Sequence, residues 1–444
     1  MVQVNFNVWG NSSINLSGSI NADAPTYVIV HGYRSTGGNA GNNYQPNQWM
    51  ANIAQTIRQR ESNANIILVD WEEGASSWWY PTSANRTSNV GNQLANYLIN
   101  NGIDPNYTNL IGHSLGAHVA GFAGAAYRQS TGNSIAQIAG LDPAGPEFEG
   151  DAASDRLDPT DATRVVTLHT STILGYDDRL GSLDVYANWD DLLQPGQSDF
   201  VGNHGYAHTL YTELLQGYSF SQCSGTLFNL NTVVNAESVG RNDADTRGNK
   251  GIVALNLSGT ASNDTLAGGA ADDTIVGNGG NDYITGGDGN DSLFGNNGND
   301  LLYGGRDNDS VFGGTGSDRL FGDDGSDVLT GADAAVGKGI DEIDYLTGNN
   351  GNDYFVLGTA VGSFYNDGNS STSGLNDYAL ITDFNTLEDT IQLFGSKSSY
   401  SLGAVPTGLA TGTALFLSES SLELIAIIQG STNLSLSDNY FVTV

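Results

Sequence analysis

Tyr107-Thr108-Asn109-Leu110-Ile111-Gly112-His113-Ser114-Leu115-Gly116-Ala117-His118-Val119-Ala120-Gly121 decides how the first half of this chain is read. A short apolar run leads into Gly-x-Ser-x-Gly and leaves as a run of small, helix-compatible residues. That order predicts a strand, a sharp turn and a helix, with Ser114 exposed at the turn. The glycines meet a steric need: the serine takes a strained backbone conformation, and bulk two residues away would strike the neighbouring strand and helix. Ala120, Gly121 and Gly124 keep one side of the helix small, so that it can pack closely. Ser114 is therefore the candidate nucleophile.

Working outward, Tyr27 to Val30 and Ile66 to Val69 read as short buried strands. Trp49, Ile53 and Ile57 share one helical face, as do Val90, Leu94, Tyr97 and Leu98. Alternating strands and helices predict a mostly parallel sheet with flanking helices over residues 1–235, and the strand–turn–helix at Ser114 is that of an α/β hydrolase. A hydroxyl nucleophile needs a base and an orienting acid, in the chain order Ser, Asp or Glu, His on this fold. Asp142 is the acid candidate, because it follows the apolar run Ile135 to Ala139 and so stands at the carboxyl end of a strand, where α/β sites gather. His31, His113 and His118 precede the acid, and His169 ends the strand Arg164 to Leu168. His204 and His208 remain as bases, just before a helix through Leu214, and a loop position facing both serine and solvent favours His204.

The chain has 444 residues, a formal net charge of −34 and only 15 Lys and Arg. So few cations exclude a nucleic-acid partner, since phosphate backbones are held by Lys and Arg. Self-repulsion in a compact acidic chain calls for bound cations, and calcium suits carboxylate and carbonyl oxygens. The single cysteine, Cys223, forms no intramolecular disulfide and is expected to be inert. No apolar stretch approaches the roughly 18 residues that span a bilayer.

Near residue 250 the helical pattern stops and a nine-residue period begins. Asp264, Asp273, Asp282, Asp291, Asp300, Asp309, Asp318 and Asp327 are each nine apart, and Asp344 and Asp353 resume the spacing after an interruption. Two residues beyond each stands an apolar side chain, from Leu266 and Ile275 to Leu346 and Phe355, and a glycine lies five before nearly every Asp. Each nonapeptide supplies a turn and a short strand whose apolar residue points into a narrow core. The Asp carboxylates converge with turn carbonyls on calcium. From Asp264 to Asp353 there are 18 acidic and 3 basic residues. The pattern resembles the RTX nonapeptide repeats and implies an all-β parallel β-roll over 250–356, with these ten Asp as calcium ligands. Alternating stretches such as Thr390-Ile391-Gln392-Leu393 and Leu422-Glu423-Leu424 predict a β-rich C-terminal region, 357–444. Met1 to Ile20 lacks a basic segment followed by an apolar run, so no N-terminal secretion signal is expected. Asp438-Asn439-Tyr440-Phe441-Val442 resembles the uncleaved C-terminal signal of RTX proteins, which implies the type I secretion machinery as a partner in export.

Residues 20–220 resemble the pancreatic lipase family of lipases and phospholipases A1. The resemblance rests on His31-Gly32-Tyr33, the Ser114 pentapeptide, Gly140-Leu141-Asp142-Pro143-Ala144, Arg156-Leu157-Asp158-Pro159-Thr160-Asp161-Ala162, Leu168-His169-Thr170, Gln194-Pro195-Gly196 and Asn203-His204. It implies a triad of Ser114, Asp142 and His204, an oxyanion hole from the backbone N–H groups of Leu115 and Tyr33, and a lipid ester substrate met at an interface. It also implies a structural calcium held by the Arg156 carbonyl, Asp158 and Asp161, although the family's preceding glutamate falls on Ala153. The covering loops, Gln197 to Gly202 and Ser171 to Leu180, are short, which in the family goes with phospholipase A1 activity and an open site. The competing reading is a non-catalytic RTX surface protein whose lipase-like half only binds lipid or glycan.

Overall fold

The computed structural model describes residues 2–444 except 23, 177, 189–192, 196, 222–226, 231–239, 245–249, 334, 336–337, 368–373, 419–421 and 432. Cys223 and Gly196 lie outside the described residues.

Strands that are apolar on both faces must sit inside a layered sheet. The sheet of the first unit has eight strands among the described residues, the inner ones of this kind: β1 (Asn5–Val8), β2 (Thr26–Val30), β3 (Asn65–Asp70), β4 (Thr108–His113), β5 (Gln137–Leu141), β6 (Arg164–His169), β7 (Leu183–Ala187) and β8 (Gly240–Ala244). Their order is β1-β3-β2-β4-β5-β6-β7-β8. Only β1 runs antiparallel to its neighbour; the other pairs are parallel. Every residue of β2, β3, β5, β6 and β7 is buried. The longer crossover helices are α1 (Gln48–Arg60), α2 (Thr87–Asn100) and α3 (Leu115–Thr131), with α4 (Phe200–Leu215) after β7. Side chains alternate across a strand, so Val28, Val30, Ile67 and Val69 reach one face. There they share a core with Val90, Leu94, Val119 and Ala123 of α2 and α3. Helix α1 packs instead on α4.

The acid-bearing strand begins two residues later than its apolar run suggests, at Gln137, and ends at Leu141, immediately before Asp142. Helix α4 also differs from expectation. It starts at Phe200, because the Asp199 side chain accepts the Gly202 N–H (2.8 Å) and caps it. His204 therefore stands on the first turns of a helix rather than in a loop.

The chain divides by contacts into Met1–Gly251 and Ile252–Val444. In the second unit two nonapeptides make one coil, so each strand pairs in parallel with the strand 18 residues on: Ser292 with Ser310, Tyr283 with Leu301. Alternate strands build two sheets, of eight and nine strands among the described residues. Ile275, Ile284, Leu293, Leu302, Val311, Leu320 and Leu329 are fully buried between them. At the interruption the register lengthens to 26 residues, Arg319 pairing with Tyr345. The stack resumes with Ile343–Asn350, which carries Asp344. The sequence separates a roll from a C-terminal region at residue 356; in the structure Thr390–Leu393, Phe441–Thr443, Tyr378–Ile381 and Leu422–Gln429 extend the same two sheets and share one core. One sheet ends in an antiparallel hairpin, Tyr400–Ala404 and Gly412–Ser418, laid on Leu422–Gln429.

Candidate active site and cation sites

Strand β4 delivers Ser114 to the start of α3 with φ 58° and ψ −124°. That is a left-handed conformation costly for any residue with a side chain. The turn is held by the Ser114 N–H on the Leu141 carbonyl (3.1 Å) and the Ala117 N–H on the Ser114 carbonyl (3.1 Å). A Cβ at position 116 would collide with the Val30 carbonyl, so only glycine lets α3 come this close to β2. Leu115 is the first residue of α3, and the first N–H groups of a helix have no partner within it. Its N–H is thus a donor beside the serine. Tyr33 follows β2, and its hydroxyl donates to the Ser77 carbonyl (2.7 Å), fixing this turn to the loop beyond β3.

Asp142 is fully buried, and three donors meet its carboxylate. Oδ1 accepts the N–H groups of Thr170 (2.6 Å) and Ser171 (3.1 Å); Oδ2 faces His204 Nδ1 at 2.6 Å. The two N–H bonds aim the second oxygen at the imidazole. The base is seated by its backbone as well. His113 Nε2 donates to the His204 carbonyl (3.0 Å), tying the residue before the nucleophile to the first turns of α4. Ser114 is 6% exposed, and among the described residues its hydroxyl is not hydrogen-bonded to His204. Such bonds commonly tighten only when substrate is present.

The other histidines have structural partners. His31 Nε2 accepts the Trp71 N–H (3.1 Å), and its carbonyl accepts the Trp71 indole (2.8 Å), clamping β2 to β3. His118 bridges the Leu157 N–H and the Ala144 carbonyl (3.0 and 2.9 Å), and burial pushes it down to about 4. His169 is buried between the Tyr176 carbonyl (2.9 Å) and Asp184 (3.1 Å). His208 stacks on Trp49 (5.1 Å), and burial together with His204 lowers it to about 4.

Two supports have no role assigned from the sequence, although Thr170, Gln194 and Asn203 stand in the motifs quoted above. Thr170 and Ser171 act through backbone N–H groups, which any residue type has. Gln194 is the hub of a buried polar knot: its side chain donates to the carbonyls of Thr170 (3.0 Å) and Ala187 (2.8 Å), and its N–H to Asn203 Oδ1 (2.8 Å). Through Asn203 this knot anchors the turn that bears His204.

The calcium site implied in the first unit is partly furnished. Asp158 and Asp161 are buried in one turn, where Asp161 Oδ2 accepts the Asp158 N–H (2.9 Å) and Asp158 Oδ1 the Thr160 N–H (2.7 Å). Burial, reinforced by the charge of Asp158, pushes Asp161 up to about 7. A cation shared by the two would relieve that. The Arg156 side chain turns away, lying over the Tyr176 ring (5.3 Å).

In the roll the fit is closer. Each Asp bonds to the Asp one coil away: the N–H of Asp282 donates to Asp300 Oδ1 (2.7 Å), that of Asp291 to Asp309 (2.8 Å), that of Asp300 to Asp318 (2.8 Å). The second oxygens of Asp282, Asp300, Asp309, Asp318 and Asp327 are buried without a hydrogen-bond partner. Burial accordingly raises these carboxyls, Asp300 to about 6, Asp309 to about 9 and Asp318 to about 10. A row of unpaired, converging carboxylate oxygens suits a hard cation. Asp344 departs from the row, because its Oδ2 accepts the buried Tyr365 hydroxyl (2.6 Å), whereas those of Asp282, Asp300, Asp309, Asp318 and Asp327 have no such donor. Asp264 and Asp273 at the other end turn Oδ2 onto N–H groups of their own turns, those of Thr260 and Gly269.

Comparison with known proteins follows the same division. The Lipase family matches residues 6–224, and the RTX calcium-binding nonapeptide repeat matches 258–293, 294–329 and 339–359. Lipase member H of Rattus norvegicus is 38% identical over 183 residues, which cover 40% of this chain and 38% of that protein. Lipoprotein lipase of Sus scrofa is 36% identical over 186 residues, 40% of this chain and 36% of its own. The chain thus spans about two fifths of the length of the curated relatives it matches. Among solved structures, extracellular lipase LipA from Serratia marcescens aligns over 81% of this chain and 72% of its own at 11% identity, with a TM-score of 0.19, too slight to bear on function. Residues 6–224 are a pancreatic-lipase-family domain, joined to calcium-binding RTX nonapeptide repeats.

Proposed function

We propose that this protein is a secreted serine ester hydrolase that cleaves acyl esters of glycerolipids. The observation that carries the reading is the 2.6 Å pairing of buried Asp142 with His204, seated beside the strained Ser114 turn. In the mechanism that follows, Ser114 Oγ attacks the ester carbonyl while His204 takes its proton. Asp142 keeps the imidazole in the tautomer with its free nitrogen toward the serine. The carbonyl oxygen becomes an oxyanion, met by the N–H groups of Leu115 and Tyr33. Collapse breaks the ester bond, and His204 returns the proton to the departing alcohol. Water, deprotonated by His204, then attacks the acyl-enzyme and releases the fatty acid and Ser114.

Calcium, when bound, would supply positive charge among the roll carboxylates. Asp282, Asp300, Asp309, Asp318 and Asp327 would hold it. Asp158 and Asp161 would hold the ion of the lipase half. The repeats support export by a type I route, with the roll closing where calcium is plentiful.

Ser114→Ala is expected to abolish turnover, and labelling by an active-site serine phosphonate, while the circular dichroism spectrum stays unchanged. Undiminished hydrolysis would remove the assignment. Initial rates on phosphatidylcholine and on a triacylglycerol decide between phospholipase A1 and lipase.

A further inference from the structure

Asp344 belongs to the aspartate row by its first oxygen. Its Oδ1 accepts the Asp318 N–H (2.9 Å), as Asp300 Oδ1 accepts that of Asp282 and Asp318 Oδ1 that of Asp300. The second oxygen has different company. A Cβ built on Gly295, Gly304 or Gly313 would strike two oxygens, the Oδ2 of the Asp five residues on and the glycine carbonyl of the following coil. Those Oδ2 atoms, of Asp300, Asp309 and Asp318, are buried without a hydrogen-bond partner. A buried carboxylate oxygen beside a carbonyl is a cradle for a hard cation. On Gly331 the same Cβ would strike Asp344 Oδ2 and the Tyr365 hydroxyl. A side chain thus stands in the cradle of this coil.

The regular repeats have nothing to deliver that side chain; the interruption does. Asp327 and Asp344 are 17 residues apart instead of nine. The added stretch seats the tyrosine: the Lys338 carbonyl accepts the Tyr365 N–H (2.7 Å), and a Cβ on Gly339 would strike its ring. Phe364, buried in the core of the roll, meets the ring edge-on at 6.5 Å. Tyr365 itself is fully buried, with φ 56°. A left-handed backbone is costly for a bulky residue and persists only where its surroundings over-determine it. Here they do, and the product of that strain is one hydroxyl placed on one carboxylate.

We propose that the Tyr365 hydroxyl takes the place of a calcium ion at Asp344, so that a cation site written in the repeat pattern is closed from within. A phenol O–H gives the carboxylate one donor and no charge, and does so at any calcium concentration. An ion needs the same oxygen and several more. The proposal rests on calcium binding by the regular coils, so a regular aspartate is the control. Calcium bound by the full-length protein is counted by equilibrium dialysis at saturation. Asp344→Asn is expected to bind as many ions as the unaltered protein, where Asp309→Asn binds fewer. Tyr365→Phe keeps the ring and its seat but frees Asp344 Oδ2, and should bind one ion more. Adding Asp344→Asn to it should return the count. Circular dichroism in excess calcium checks that each variant is folded. An ion lost by Asp344→Asn, or a folded Tyr365→Phe that binds no more than the unaltered protein, overturns the stand-in. Should Tyr365→Phe fail to fold, the Asp344→Asn count decides alone. An Asp309→Asn protein that keeps every ion refutes instead the assignment of the row, and the stand-in falls with it.

Discussion

Asp142 has two tasks that separate under mutation. Its Oδ1 is consumed by the backbone of Thr170 and Ser171, so only Oδ2 is left to orient His204. Asp142→Asn keeps the shape but offers Nδ1 a donor or a neutral oxygen, and the imidazole loses its fixed tautomer. Turnover should fall by about 10^3 to 10^4-fold with little change in melting temperature; a loss under tenfold would deny Asp142 this role. His118 gives a second test, in pH. Its folded value, about 4, lies below the usual 6.5, so between the two the unfolded chain binds the extra proton. The contribution of this group to stability is complete above pH 6.5 and is lost as pH falls toward 4, by about 3 kcal/mol. All six tryptophans precede residue 190, so their fluorescence reports the first unit alone. Its melting midpoint should drop steadily across that window, and a flat midpoint would contradict the buried neutral histidine. Ser114 and Asp142 were legible in the sequence because a strained turn demands glycines and a carboxyl end of a strand gathers polar groups. The seat of His204 was less so. Gly202 and Gly205 weaken the helical signal of α4, and only the Asp199 cap marks where it starts.

At the level of elements, the roll is governed by its carboxylates. Each coil gains parallel pairing and two fully buried aliphatic residues, one from each nonapeptide, and rings stack from coil to coil, Phe294 on Phe312 at 4.9 Å and Tyr303 on Phe321 at 4.7 Å. Against this stand buried oxygens with no counter-charge. Chelating calcium should therefore remove strand signal from 264–353, and an EDTA-insensitive spectrum would contradict the reading. Because burial holds Asp309 up to about 9 and Asp318 up to about 10, loading must displace protons, and calcium affinity should climb from pH 6 to pH 8. Asp309→Asn is expected to lower the number of ions bound at equilibrium dialysis and to raise the calcium midpoint severalfold. The nine-residue period made the coil readable because two nonapeptides per turn place every Asp on an edge and every apolar residue inside. Tyr365 was unreadable for the converse reason. It lies outside the period, and only the folded chain brings its hydroxyl to Asp344.

For the whole molecule, the division near residue 251 was visible as a change of period, and the α/β order of the first unit as alternation of strand and helix. Two things were not. β8, Gly240–Ala244, is a polar edge strand with nothing apolar to announce it, and β1 pairs antiparallel through backbone groups that carry no side-chain signal. Nor did the sequence reveal that the last ninety residues continue the roll, since their strands follow its register without its repeat. That continuation ends in the hairpin of Tyr400–Ala404 and Gly412–Ser418, which reverses strand direction on Leu422–Gln429. A parallel coil has no intrinsic last turn, and its final strand offers a row of open N–H and C=O groups to any similar strand. Leu424 to Ile428 are buried, and Gly412–Ser418 pairs along the edge of their strand. Deleting residues 400–418 should leave that strand as a template for other copies, seen as light scattering that grows with calcium as more coils close. The hairpin would in this sense act as a chain terminator for its sheet: it puts an antiparallel strand, Tyr400–Ala404, where a further parallel coil would have to pair.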